Sequence, residues 1–121
     1  MKMPRYGSFM IKELAEIDIK LGQEAEFEQA VAQAMPFFLR SKGCQGIKLH
    51  RSLEQPTRYR LIVEWETLED HMVEFRNSDA FRQWRAIAGP FFAGTPRIEH
   101  LVVAVDGVDQ MSPANGLEGS A

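Results

Sequence analysis

The feature that most constrains this chain is a change of hydrophobic period that occurs twice in the same direction. Ala15, Ile17, Ile19 and Leu21 alternate with Glu16, Asp18 and Lys20, the two-residue repeat of a strand with one buried face. After Gly22 the repeat lengthens. Phe27, Ala30, Val31, Ala34 and Phe38 recur at the spacing of one helix face. The pattern predicts a strand over 12–21 and a helix from Gln23. That helix is expected to kink at Pro36, which lacks a backbone donor, and to end at Lys42-Gly43.

The second cycle begins at Gly46. "GIKLHRSL" sets Ile47, Leu49 and Leu53 on one side, Glu54–Thr57 reads as a turn, and "RYRLIVEWE" over 58–66 is the most strand-like segment of all. Two strands joined by a short polar connection predict an antiparallel hairpin. Thr67 then stands as a helix N-cap with Asp70 three residues on, and Leu68, Met72 and Phe75 form the expected inward stripe. Asn77 or Ser78 caps a second helical piece that turns Phe81, Trp84, Ile87 and Ala88 inward and stops at Gly89-Pro90. "RIEHLVVAV" over 97–105 is the last strand.

The order β-α-β-β-α-β is the ferredoxin-like plan of the α+β class, a four-stranded antiparallel sheet with both helices on one face. The domain is expected over 12–105, with residues 1–11 as an N-terminal extension and 106–121 as an aperiodic C-terminal tail. A chain of 121 residues has room for one such core. In the third strand Tyr59, Leu61, Val63 and Trp65 alternate with Arg60 and Ile62, so bulky side chains fall on both faces. A second apolar sheet face predicts a homodimer packed sheet against sheet.

Composition narrows the partners. A net charge of −3 with scattered Lys and Arg offers no basic face to nucleic acid or to an anionic membrane. There is no apolar run suited to a signal core or a bilayer span, and the single cysteine, Cys44, forms no internal disulfide, so a cytoplasmic location is expected. His50, His71 and His100 are widely spaced, and CxxC, HExxH, GxGxxG and P-loop patterns are all missing. Neither a metal nor a cofactor is expected.

With this order in place the chain resembles the antibiotic biosynthesis monooxygenase family of dimeric α/β-barrel proteins, from about Lys12 to Val105. The likeness is carried by "KLGQEAEFEQAV", "GCQGIKLHRSL", "RYRLIVEWETLEDHMVEFRNSDAF" and "RIEHLVVA" in that order. Its most recognisable part is the Glu-Trp end of the third strand followed by a short helix with a His. The resemblance implies a homodimer and one of several activities: metal- and cofactor-independent oxidation of aromatic phenols or quinols by O2, haem degradation, or small-molecule binding without catalysis. Haem-degrading members use an Asn on the first strand together with a Trp and a His, and "LAEIDIKL" has no Asn.

Cofactor-independent oxidation needs an apolar cavity, a base beside the phenol oxygen and exclusion of water. His71 is the expected base, because an imidazole titrates near neutral pH. The expected wall comprises Phe27 and Phe38 on the first helix, Trp65 at the strand end, Met72, Phe75 and Trp84 beyond it, and Phe91 and Phe92 in the loop. Five of these have a packing alternative: His71 as a boundary histidine, Trp65 as a core anchor, and Trp84, Phe91 and Phe92 as core or dimer contacts. Glu64, Glu66, Glu69 and Asp70 read as strand-end and first-turn carboxylates, with Glu64 able to pair Arg51 or Arg60 across an interface. His50 and His100 lie on strands and point to a cavity or an interface. Cys44 reads as a small residue in a tight turn.

Overall fold

A computed structural model describes residues 10–107. The elements are β1 (Ile11–Asp18), α1 (Glu24–Leu39), β2 (Cys44–Arg51), β3 (Arg58–Trp65), a π-helical segment (Asp70–Phe75), α2 (Asp79–Ala88), a 3₁₀ turn (Gly89–Phe91) and β4 (Arg97–Leu101). The strands pair antiparallel in the order β2-β3-β1-β4, the expected α+β ferredoxin-like arrangement. β1 starts at Ile11, one residue before the expected domain boundary, and β4 stops at Leu101. Most of the expected N-terminal extension and C-terminal tail lies outside the described residues.

Strand parity builds the core. Ile11, Ala15 and Ile17 of β1 point inward beside Tyr59, Leu61, Val63 and Trp65 of β3, all buried, with Ala15 opposite Leu61 and Ile17 opposite Tyr59. α1 covers them with Phe27, Ala30, Val31, Ala34 and Phe38, the predicted face, and runs on through Pro36 to Leu39. Phe27 meets Tyr59 edge-on at 4.9 Å, and Phe38 meets Trp84 of α2 at 5.0 Å. Each such side chain contributes about 1.5–3 kcal/mol by leaving water. The buried Tyr59 keeps its polar tip satisfied by donating to Glu28 Oε2 at 2.7 Å.

Three expectations about facing are corrected. Leu21 is 86% exposed and Leu53 89% exposed, because both lie past the ends of their strands. Beyond Asp18 a single bridge from Ile19 to Phe92 remains, and Gly22 at φ +85 turns the chain away. Met72 is 40% exposed, although Phe75 of the same stripe is buried. The cause is the π-helical turn, in which the Arg76 N–H donates to the His71 carbonyl five residues back at 3.2 Å. That wider turn brings Asp70, His71 and Phe75 inward instead.

The caps follow the sequence. Thr67 Oγ1 accepts from the Asp70 N–H at 3.1 Å, and Ser78 Oγ accepts from the Phe81 N–H at 3.2 Å. Cys44 opens β2 at a bulge rather than occupying a tight turn. Gly43 before it adopts φ +81, and a Cβ there would collide with the Asp70 carboxylate, so the π-helical segment sits hard against the start of β2.

The outer sheet face is more charged than expected. Leu14 lies opposite Ile62, and Leu101 lies opposite Lys12. Around them Glu16 takes Arg58 at 2.9 Å and Arg97 at 2.7 Å, and Asp18 takes Arg58 at 2.8 Å. Within the chain Arg51 pairs with Glu28 and Arg60 with Glu16, while Glu64 faces Lys12 across the strands.

Candidate active site

The same parity that builds the core also buries a carboxylate. Glu13 lies between Ile11 and Ala15 on the inner face of β1 and is only 4% exposed. β3 ends by placing Trp65 beside it, and the indole Nε1–H donates to Glu13 Oε1 at 2.9 Å. The π-helical turn then carries His71 over the indole, the two rings nearly parallel (16°) with centroids 5.5 Å apart. His71 Nε2 stands 3.3 Å from the same Glu13 oxygen, while Nδ1 lies 2.8 Å from Nε2 of His100 on β4. His100 is the direct cross-strand partner of Glu13 and is half-buried. Four elements thus assemble a line from a buried carboxyl, through a buried imidazole, to a second imidazole nearer solvent.

Burial sets the electrostatics of this line. It pushes the Glu13 carboxyl up from 4.5 to about 7, against the opposing pull of the Trp65 N–H and the Arg76 charge. Burial likewise lowers His71 to about 4, helped by the positive character of His100 and Arg76. His100 is lowered for the same reasons, burial first and Arg76 second. Near neutral pH both imidazoles are therefore uncharged, and Glu13 is the group in mid-titration. A neutral imidazole has one donor nitrogen and one acceptor. With Glu13 protonated, His71 Nε2 is free to accept and Nδ1–H donates to His100. With Glu13 ionised, Nε2–H turns to the carboxylate and His100 Nε2–H donates to Nδ1. Going from the first state to the second moves one proton from Glu13 to His71 and one from His71 to His100, and releases one from His100.

A cavity of about 160 Å³ opens beside it, between the inner sheet face and α2. Glu13 and His71 supply its polar wall. Ala15, Ile17, Leu61 and Ile98 come from the sheet, Phe38, Phe75, Phe81 and Trp84 from the helical layer, and Phe92, Thr95 and Pro96 from the loop before β4. Arg76 and Arg85 complete the lining.

Of the residues expected from sequence, His71, Phe38, Phe75, Trp84 and Phe92 meet at this cavity. Trp65 does not line it but backs His71 and holds Glu13. Phe27 and Phe91 pack on one another at 5.8 Å, away from the lining, and Met72 turns outward toward Arg76. His50 is exposed opposite Arg60 on the outer face. Glu13, Arg76 and Arg85 were not anticipated. The signal for Glu13 was present, since it shares the parity of Ala15 and Ile17. Among the described residues no group of three or more His, Cys, Asp or Glu side chains is placed to hold a metal ion, and no helix is long and apolar enough to cross a membrane.

A model of the antibiotic biosynthesis monooxygenase family matches residues 10–87. The chain belongs to that family. It is 42% identical over 91 residues to the uncharacterized protein YczJ of Bacillus subtilis (strain 168), covering 75% of this chain and 96% of that one. A solved structure from Bordetella bronchiseptica, named as a putative antibiotic biosynthesis monooxygenase, is 48% identical with a TM-score of 0.79 and covers 80% of this chain and 99% of its own. SnoaB, a cofactor-independent oxygenase from Streptomyces nogalater, shares the fold at 17% identity, with a TM-score of 0.70 over 81% of this chain and 96% of SnoaB. The family segment contains Glu13, Trp65 and His71, whereas His100 lies beyond it.

Proposed function

We propose that this protein is a monooxygenase that oxidises an electron-rich aromatic phenol or hydroquinone with O2, using no metal or organic cofactor. The observation that carries this reading is the buried Glu13–His71 pair on the wall of an otherwise apolar cavity. A general base works best when its pKa lies near the working pH. Glu13, at about 7, meets that condition, whereas His71 at about 4 is a weak base. Glu13 therefore accepts the phenol proton, and His71 shares it and passes it toward His100.

The resulting phenolate donates one electron to O2, and the ring radical and superoxide combine to form a C–O bond. The hydroperoxide then loses water to leave a ring carbonyl. One oxygen atom of O2 stays on the ring and the other leaves as water, with the two hydrogens taken from the ring C–H and the phenol O–H. The substrate supplies all the electrons, so no further reductant is required. The aromatic wall excludes water and protects the reactive oxygen species from stray protonation.

The test is O2 consumption by metal-free protein with a panel of hydroquinones and anthrones. Equimolar O2 uptake and quinone formation, unaffected by a chelator, are expected. Ligand-dependent thermal shifts with no uptake across the panel would instead assign a small-molecule binding protein, and bilin products from haem and reductant would assign haem degradation.

Two chains are proposed to pair through the outer sheet face, where Leu14 and Ile62 form an apolar centre between flanking charges. Analytical ultracentrifugation is expected to give a dimer that Ile62→Asp converts to a monomer. A monomeric wild type would remove this part.

A further inference from the structure

The lining of the cavity carries two exposed cations that the reaction just described does not use. Arg76 follows the π-helical segment and Arg85 lies on α2, and both line the cavity. Their guanidinium carbons stand 5.9 and 5.8 Å from the centroid of the same ring, Phe81. Phe81 in turn rests edge-on against Phe75 at 5.5 Å, inside the cavity wall. The ion pairs among the described residues engage Arg51, Arg58, Arg60, Arg82 and Arg97, but neither of these two. Arg76 also lies near enough to draw down the pKa values of Glu13, His71 and His100, so its charge is felt at the polar end of the same cavity.

We infer that the ligand of this cavity is a single-ring phenol or hydroquinone bearing a carboxylate, held at its anionic end by Arg76 and Arg85 and at its hydroxyl by Glu13 and His71. About 160 Å³ is comparable to cavities of roughly 150 Å³ that hold one benzene ring, which points to a single ring rather than a fused polycycle. Two guanidinium groups on the lining favour an anionic substituent, and the planar donors of a guanidinium match a carboxylate's two oxygens. Only the hydroxyl end rests on the monooxygenase reading. The anion grip stands on the arginines alone.

The test is calorimetric titration under nitrogen, where no turnover occurs, with three probes: a dihydroxybenzoate, neutral hydroquinone and a dihydroxynaphthoate. The dihydroxybenzoate is expected to bind about ten-fold more tightly than hydroquinone at low salt, and more tightly than the two-ring acid. Arg76→Gln combined with Arg85→Gln is expected to erase the preference over hydroquinone. The single variants are each expected to weaken it, while Arg82→Gln, on the exposed side of α2 and already paired with Asp79, retains it. Equal affinity for the charged and neutral single rings, no binding by either, or a preference that survives the double variant overturns the inference. Failure of the monooxygenase reading shows separately, as carboxylate-dependent binding without O2 uptake once air is admitted.

Discussion

β1 carries carboxylates on both faces, Glu13 inward and Glu16 and Asp18 outward, and the two faces treat the same functional group in opposite ways. Outside, hydrogen bonding from Arg97 holds Glu16 below its usual range, and Arg58 does the same for Asp18. Inside, burial raises Glu13 to about 7 against the pull of the Arg76 charge, and the groups in contact with its carboxyl are an indole N–H and an uncharged imidazole. Strand parity alone separates the two outcomes. One face yields a solvated ion network that ties three strands together, and the other yields a carboxyl able to gain and lose a proton at neutral pH.

The strongest way to break this comparison is to remove the ionisable group from each face in turn. Glu13→Gln keeps an acceptor for Trp65 but cannot take a proton, and is expected to lower kcat/KM for O2 uptake by about 100-fold or more. Glu16→Gln, on the opposite face of the sheet from the cavity, is expected to change it by no more than about two-fold. Equal losses in the two variants would show that the inner face has no special role in the chemistry.

The next effect is on stability and its pH dependence. Glu13 titrates higher in the folded chain than in the unfolded one, so between pH 4.5 and about 7 the folded state holds the extra proton. Its contribution is present at low pH and is lost as pH rises through about 7, leaving a cost on the order of 3 kcal/mol above that. His71 works in the opposite sense. The unfolded state takes its proton at 6.5 but the folded state only near 4, so stability falls as the solution is acidified across that window. The two slopes nearly cancel where they overlap. Glu13→Gln is therefore expected to melt higher than wild type at pH 8 and to lose stability more steeply between pH 6.5 and 4. Thermal melts across that range test both signs.

Two smaller effects sharpen the contrast. The Trp65 N–H pulls the Glu13 value down, so Trp65→Phe is expected to move the midpoint of the kcat/KM pH profile upward from about 7. On the outer face, Arg97→Ala is expected to let Glu16 titrate closer to 4.5, with a small change in melting temperature that shrinks further in salt. A downward shift in the first case, or a large salt-independent loss in the second, would reverse the roles assigned to the two faces.

The fold was legible because its information is periodic. The shifts from period two to the helical spacing name six elements, and the antiparallel sheet follows from their order. What failed were the places where periodicity outlasts the structure. Leu21 and Leu53 continue an alternation after the strand hydrogen bonds have ended, and Met72 obeys an α-helical spacing that the π-helical turn does not keep. At the candidate site His71 was legible from its own chemistry. Glu13 was not, because a carboxylate in an alternating strand reads as solvent-facing unless a partner is known. Its partners are far away in sequence: Trp65 lies 52 positions on, and the second imidazole follows on the last strand. Arg76 and Arg85 were hidden for a related reason, since their relation to the cavity depends on how the π-helical segment and α2 fold over the sheet.

The most direct test is a carbon NMR titration of the glutamate side-chain carboxyls, with Glu13 and Glu16 assigned through their Gln variants. A midpoint near 7 is expected for Glu13 and one below 4.5 for Glu16. A Glu13 midpoint at or below 4.5 would contradict it, because the inner face would then hold an ordinary carboxylate with no proton to exchange at neutral pH.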